Sequence, residues 1–236
     1  MKFIKDLFAI EKRPTKGLFA LEWVAMAYLI LTLIVVMFTY TKAPNPDAMI
    51  WGRIRIAFIT VALWGVYRMI PCRLTRFARV AVQLALLGWW YPDTYELNRM
   101  LPNLDHIFAT YEQALFGCQP ALLFHKALPY PIVSELMDMG YASYYPMILA
   151  VVLFYFIFRY KEFERASFVI LTSFFIYYVI FVALPVAGPT FYYKAIGMSA
   201  ASGGTFPNVN DYFNYCQDCL PSPGYAKGIF YNLVEE

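Results

Sequence analysis

Leu21 to Tyr40 is an unbroken run of 20 residues in which Glu22 is the only charge, and a run of that length and polarity has one stable destination. A helix rises 1.5 Å per residue, so about 20 residues cross a hydrocarbon layer about 30 Å thick while satisfying every backbone group internally. Trp23 and Tyr40 stand near its two ends, where aromatic belts sit. The basic stretch before it, with Lys2, Lys5, Lys12, Arg13 and Lys16, has the charge of a signal peptide. The block is too long for a signal h-region and no A-x-A-like cleavage site follows, so it is expected to stay as an anchor.

Comparable blocks recur along the 236 residues, of which 61% are apolar and 15% charged. That balance excludes a cytosolic enzyme, a disordered tail and a secreted disulfide mini-protein. The net charge of +3 gives no reason to expect a nucleic-acid partner. A second span is predicted over Ile54–Ile70, ended by Pro71, whose ring removes a donor. A third, Val80–Trp90, is short and needs Arg76 and Arg79 as snorkelling ends, with a re-entrant segment as the alternative. A fourth covers Tyr141–Phe158 and contains Pro146; a fifth covers Ala166–Leu184, before Pro185. Between the third and fourth spans Leu104, Ile107, Phe108, Tyr111 and Leu115 recur at helical spacing, the pattern of a helix lying on a membrane surface.

Basic residues set the orientation. Residues 1–20, 68–79 and 159–165 hold twelve of the nineteen Lys and Arg. The N-terminus is therefore expected in the cytoplasm and the C-terminus outside, which needs an odd number of spans. The expected fold is an all-α, multi-pass membrane protein of about five transmembrane helices with two large outside segments. It divides into a cytoplasmic segment, 1–20; a membrane domain, 21–185, which includes the outside segment 91–140; and an outside Gly/Pro-rich loop, 186–236.

This topology places Cys72 inside and Cys118, Cys216 and Cys219 outside, where disulfides persist. Cys216 and Cys219 are read as a local disulfide clip; a redox pair or two separate thiols are the alternatives. No G-x-S-x-G, H-E-x-x-H, Walker or G-x-G-x-x-G motif occurs. His106 and His125 lie 19 residues apart, which matches no standard metal-ligand spacing, so no metal or other cofactor is expected. Two arginines carry more information. Arg55, near the start of the second span, either snorkels to the surface or meets a lipid phosphate with its planar fork. Arg99, in Tyr95-Glu96-Leu97-Asn98-Arg99, either pairs with Glu96 or does the same.

Several stretches read in order resemble one family. They are Tyr-Glu-Leu-Asn-Arg (95–99), Leu104-Asp105, Ala-Leu-Phe-Gly-Cys-Gln-Pro (114–120), Tyr-Ala-Ser-Tyr-Tyr-Pro (141–146) and Leu-Pro-Val-Ala-Gly-Pro (184–189). Over about residues 80–190 the chain resembles the N-terminal portion of the type-2 phosphatidic acid phosphatase superfamily, in the branch similar to inositol phosphorylceramide synthases. The resemblance implies a helical membrane enzyme acting on phosphorylated lipid head groups at the outer or lumenal surface. In that superfamily one histidine attacks phosphorus, a second supplies a proton, and fixed cations stabilise the developing charge without a metal. Its Pro-Ser-x-His and His-x-x-x-Asp motifs do not occur in these 236 residues. The expectation is therefore a C-terminally shortened lipid phosphatase or phosphotransferase, inactive alone, with Arg99 and Arg55 as substrate-binding residues and no catalytic residue assigned. The alternatives are a non-catalytic membrane protein that binds lipid or a partner and, more weakly, a membrane thiol oxidoreductase.

Overall fold

The computed structural model describes residues 6–210, 212–216, 218 and 220, which are mostly helical and contain no strand. The helices run α1 (Ala20–Phe38), α2 (Pro46–Met69), α3 (Arg73–Ala85), α4 (Leu87–Asn98), α5 (Asp105–Phe116) and α6 (Pro120–Ala127). They continue as α7 (Pro131–Ala142), α8 (Tyr144–Phe158), α9 (Phe163–Ala183), α10 (Pro189–Ile196), α11 (Met198–Ser202) and a single turn, α12 (Tyr212–Tyr215). Three of these segments, α1, α2 and Tyr160–Ala183, are long and apolar enough to cross a membrane. A fourth span results if α7 and α8, bent by 47° at their junction, count as one. The protein is a helical membrane protein.

The chain forms two compact units. The first contains residues up to Met100 together with Val152–Ala183; the second contains Leu101–Val151 and the residues after Ala183. In the first unit α1 lies against α2, α3 and α9, while α3 and α4 pack on each other and on α9. Buried positions on α1 recur at Leu21, Glu22, Ala25, Tyr28, Leu29, Thr32 and Val36, one stripe at helical spacing. Val36 meets Met49, Leu97 and Met100 at one end. Tyr28 packs edge-on against Trp90 with centroids 5.0 Å apart, and against Phe175 at 4.6 Å.

The buried charges inside this unit are matched in pairs. Arg53 donates to both carboxylate oxygens of Asp93, at 3.1 and 2.7 Å, to Thr32 Oγ1 at 3.1 Å and to the Met49 carbonyl at 2.9 Å. Its side chain is 1% exposed and that of Asp93 5%. Toward the other end of α1, Arg79 forks onto Glu22 with both side chains wholly enclosed. Glu22 also accepts from the Phe19 N–H that opens α1, and the Arg79 guanidinium lies over the Phe19 ring at 3.6 Å. Thr60 and Gln83 join α2 to α3 at 2.9 Å.

Several elements differ from the sequence expectation for identifiable reasons. The second helix begins eight residues early, at Pro46, because Asn45 accepts from the Ala48 N–H as an N-cap and Pro46 occupies the first helical position. Arg53 and Arg55 therefore lie inside the helix. The predicted third span straddles the α3–α4 junction at Leu86, and neither α3 nor α4 alone reaches spanning length. Arg79 is paired rather than snorkelling. Pro146 does not interrupt a helix: α8 starts at Tyr144, so the proline sits in a first turn whose N–H groups have no helical partner.

Breaking a buried ion pair strands the remaining charge. Asp93→Ala should destabilise the protein by about 3–5 kcal/mol, and the Arg53→Met, Asp93→Leu double variant by markedly less. Reversible unfolding in mixed micelles measures both; equal losses would show that the stranded charge is not the cause.

Candidate functional site

Two polar centres stand out, one in each unit. In the first unit a groove of about 400 Å³ opens between the start of α2 and α4, lined by Asn45, Met49, Trp89, Asp93, Tyr95 and Glu96 among others. Gly52 underlies Trp89 so closely that a Cβ there would collide with the indole ring. The walls are chiefly hydrocarbon and aromatic. The Asp93 carboxylate is held by Arg53, which leaves Glu96 as the more exposed acid.

Arg99 reaches Glu96 at 3.3–3.4 Å and lies over the Tyr95 ring at 5.6 Å. The Arg99 side chain is 25% exposed and Glu96 35%. A half-exposed pair with contacts of this length contributes little to stability. Arg55 is exposed and pairs with no described residue. It stands two positions from Arg53, which turns the two side chains to different faces of α2: one into the bundle, one out of it. The structure thus places Arg99 beside the groove and Arg55 on the outer face of α2.

The second unit is organised by Asp105. Its two carboxylate oxygens accept from the Ala187 N–H at 2.7 Å and the Gly188 N–H at 2.9 Å, and the Leu104 N–H donates to the Pro185 carbonyl at 2.9 Å. Asn103 donates to the same carboxylate. Gly188 has φ 90°, a backbone conformation that a side chain would strain, and it leads directly into α10. Next to this clamp Gln119 is buried. It accepts from the Tyr193 hydroxyl and donates to the Ala109 carbonyl at 3.1 Å and to Gln113 at 3.0 Å. Tyr192 donates to the Pro207 carbonyl at 2.8 Å. Burial pushes both tyrosine hydroxyls up to about 12, so each keeps its proton and acts as a donor at neutral pH. The stripe Ile107, Phe108, Tyr111 and Leu115 on α5 is exposed.

Chemically these centres hold and position. His106 is half-buried and its Nδ1 has no hydrogen-bond partner among the described residues, while the side chain of His125 lies outside them. No group of three or more potential metal ligands forms among the described residues. Cys219 lies outside the described residues, and with it the expected Cys216–Cys219 clip. Sequence reasoning missed the role of Asp105 and Gln119, although both sit in the short stretches singled out there. Nor does the sequence single out Arg53, which falls one residue before the predicted second span.

Comparison with family models, characterised proteins and solved structures finds no match to this chain.

Asp105→Asn retains the size of the side chain but leaves one acceptor oxygen where two were used. The Ala187 and Gly188 amides should exchange with solvent about tenfold faster or more, consistent with about 1.5–3 kcal/mol for a hydrogen bond to a charged group. Unchanged protection at both amides would show that the clamp does not hold the loop.

Proposed function

We propose that the chain is the membrane scaffold and lipid-binding portion of a lipid-phosphate phosphatase or phosphotransferase, similar to inositol phosphorylceramide synthases. The observation that carries the reading is convergence. Leu104-Asp105 and Leu184 to Pro189, up to 83 residues apart, meet at one buried carboxylate, and Gln119 accepts from Tyr193 on the helix that follows. A chain under no demand beyond spanning a membrane has no need to lock these loops together at a buried carboxylate.

In this reading α3 and α4 cross together as the third of five spans. The basic segments then lie in the cytoplasm, and α5–α7 and the segment after α9 lie outside. A phosphorylated lipid places its chains along the apolar groove and its phosphate on Arg99, whose planar fork suits a phosphate better than an ammonium would. Arg55, exposed and unpaired among the described residues, supplies a second cation at the surface. The chain's own histidines lie outside the superfamily's motifs, so binding without turnover is expected.

Retention of phosphatidic acid against phosphatidylcholine by the purified chain, read by native mass spectrometry from detergent, tests this. The acid should be preferred, and Arg99→Ala should weaken its retention by about tenfold or more, the loss of one charge-assisted phosphate contact. Indifference to the head group would count against the proposal. So would metal-independent phosphate release that disappears in His106→Ala.

A further inference from the structure

The end of the first unit that carries Glu11, Arg73 and Arg76 holds a second groove, of about 370 Å³, lined by residues 6 and 9–12, Arg73, Arg76 and Tyr160. Its rim is fixed by backbone pairing. Ile10 bridges Cys72, and the Glu11 N–H donates to the Pro71 carbonyl at 2.7 Å. Inside, most charge is already spoken for. Arg76 donates to Glu11 at 2.6 Å and to Glu164 at 3.3 Å. Glu11 also accepts from Tyr67 at 2.7 Å and Tyr160 at 2.9 Å. Burial pushes the Glu11 carboxyl up, but these hydroxyl and guanidinium donors outweigh it and hold the group below its ordinary range. Glu11 is therefore ionised and committed.

Arg73 is different. Its guanidinium carbon lies over the Tyr160 ring, 4.4 Å from the centroid, and it makes no ion pair among the described residues. Lys12, exposed, lines the same groove, and the one acid there without a described partner is Asp6. The cations are flanked by apolar side chains that no described residue covers: Phe8, Ile10, Met69, Ile70 and Leu74.

We propose that this groove binds the phosphate of an anionic phospholipid head group, with Arg73 and Lys12 as its cations, at the membrane face opposite the one assigned to Arg99. A preorganised, stacked guanidinium loses little freedom on binding and presents a fork matched to phosphate oxygens. Basic pockets at the ends of spanning helices take lipid head groups in this way. The apolar rim argues for a lipid over free phosphate, because hydrocarbon chains beside the head group would cover Phe8, Ile10 and Leu74.

The test is a photoactivatable phosphatidylglycerol added to the full chain in phosphatidylcholine nanodiscs, with crosslinked peptides mapped by mass spectrometry. Crosslinks are expected on residues 6–12 and 73–76. Each of Arg73→Ala and Lys12→Ala should reduce them about fivefold, the effect of one charge near a membrane surface. Arg99→Ala should leave them unchanged, which separates this site from the other. Crosslinks absent from these segments would overturn the proposal. So would crosslinks unaffected by either variant, or displacement of the lipid by inorganic phosphate at equal concentration. Arg73 has no described ion pair to lose, and a thermal shift shows directly whether each variant is folded.

Discussion

The first unit depends on two ion pairs that water does not reach. Glu22 with Arg79 ties α1 to α3, and Arg53 with Asp93 ties α2 to α4, with Thr32 of α1 as a third partner. In hydrocarbon there is little hydrophobic force between helices, since lipid chains are as apolar as leucine. Register must come from groups that have only one acceptable partner. An arginine enclosed in a bundle without its carboxylate is unfavourable by several kcal/mol, so each pair selects one rotation and one height for the helices that carry it. The aromatic packing of Tyr28, Trp90 and Phe175 then fills a geometry the charges have already chosen.

The second unit solves a different problem. Its helices are short, and its order comes from backbone amides gathered on one carboxylate and from tyrosines held by burial. Asp105 does for the loop before α10 what a bound anion does at other helix starts: it satisfies N–H groups that have no helical partner. A loop fixed in this way has a defined surface.

Much of the membrane architecture was legible in the sequence. Leu21–Tyr40 and Ala166–Leu184 correspond closely to Ala20–Phe38 and Tyr160–Ala183, because a long uncharged run has no other stable form. The start of α2 is written in Asn45-Pro46, an N-cap followed by proline at the first helical position. The α3–α4 break was not legible, since Leu86 is neither glycine nor proline and Pro92 lies within α4. The pairing of Arg99 with Glu96 follows from their spacing of three. Arg53 with Asp93 and Asp105 with Gly188 do not follow from any local pattern: the partners are 40 and 83 residues apart, and no periodicity encodes which charge meets which. Long-range polar matching is decided by the assembled helices.

That separation has a temporal side. Glu22 is synthesised 57 residues before Arg79, and Arg53 40 residues before Asp93. At about 5–20 residues per second, each early charge waits seconds for its counterion. During that interval α1 and α2 each carry a charge whose partner in the folded bundle is not yet made. The bundle is therefore built retroactively: α3 and α4, unremarkable as spanning segments themselves, arrive as the keys that let the helices before them seat.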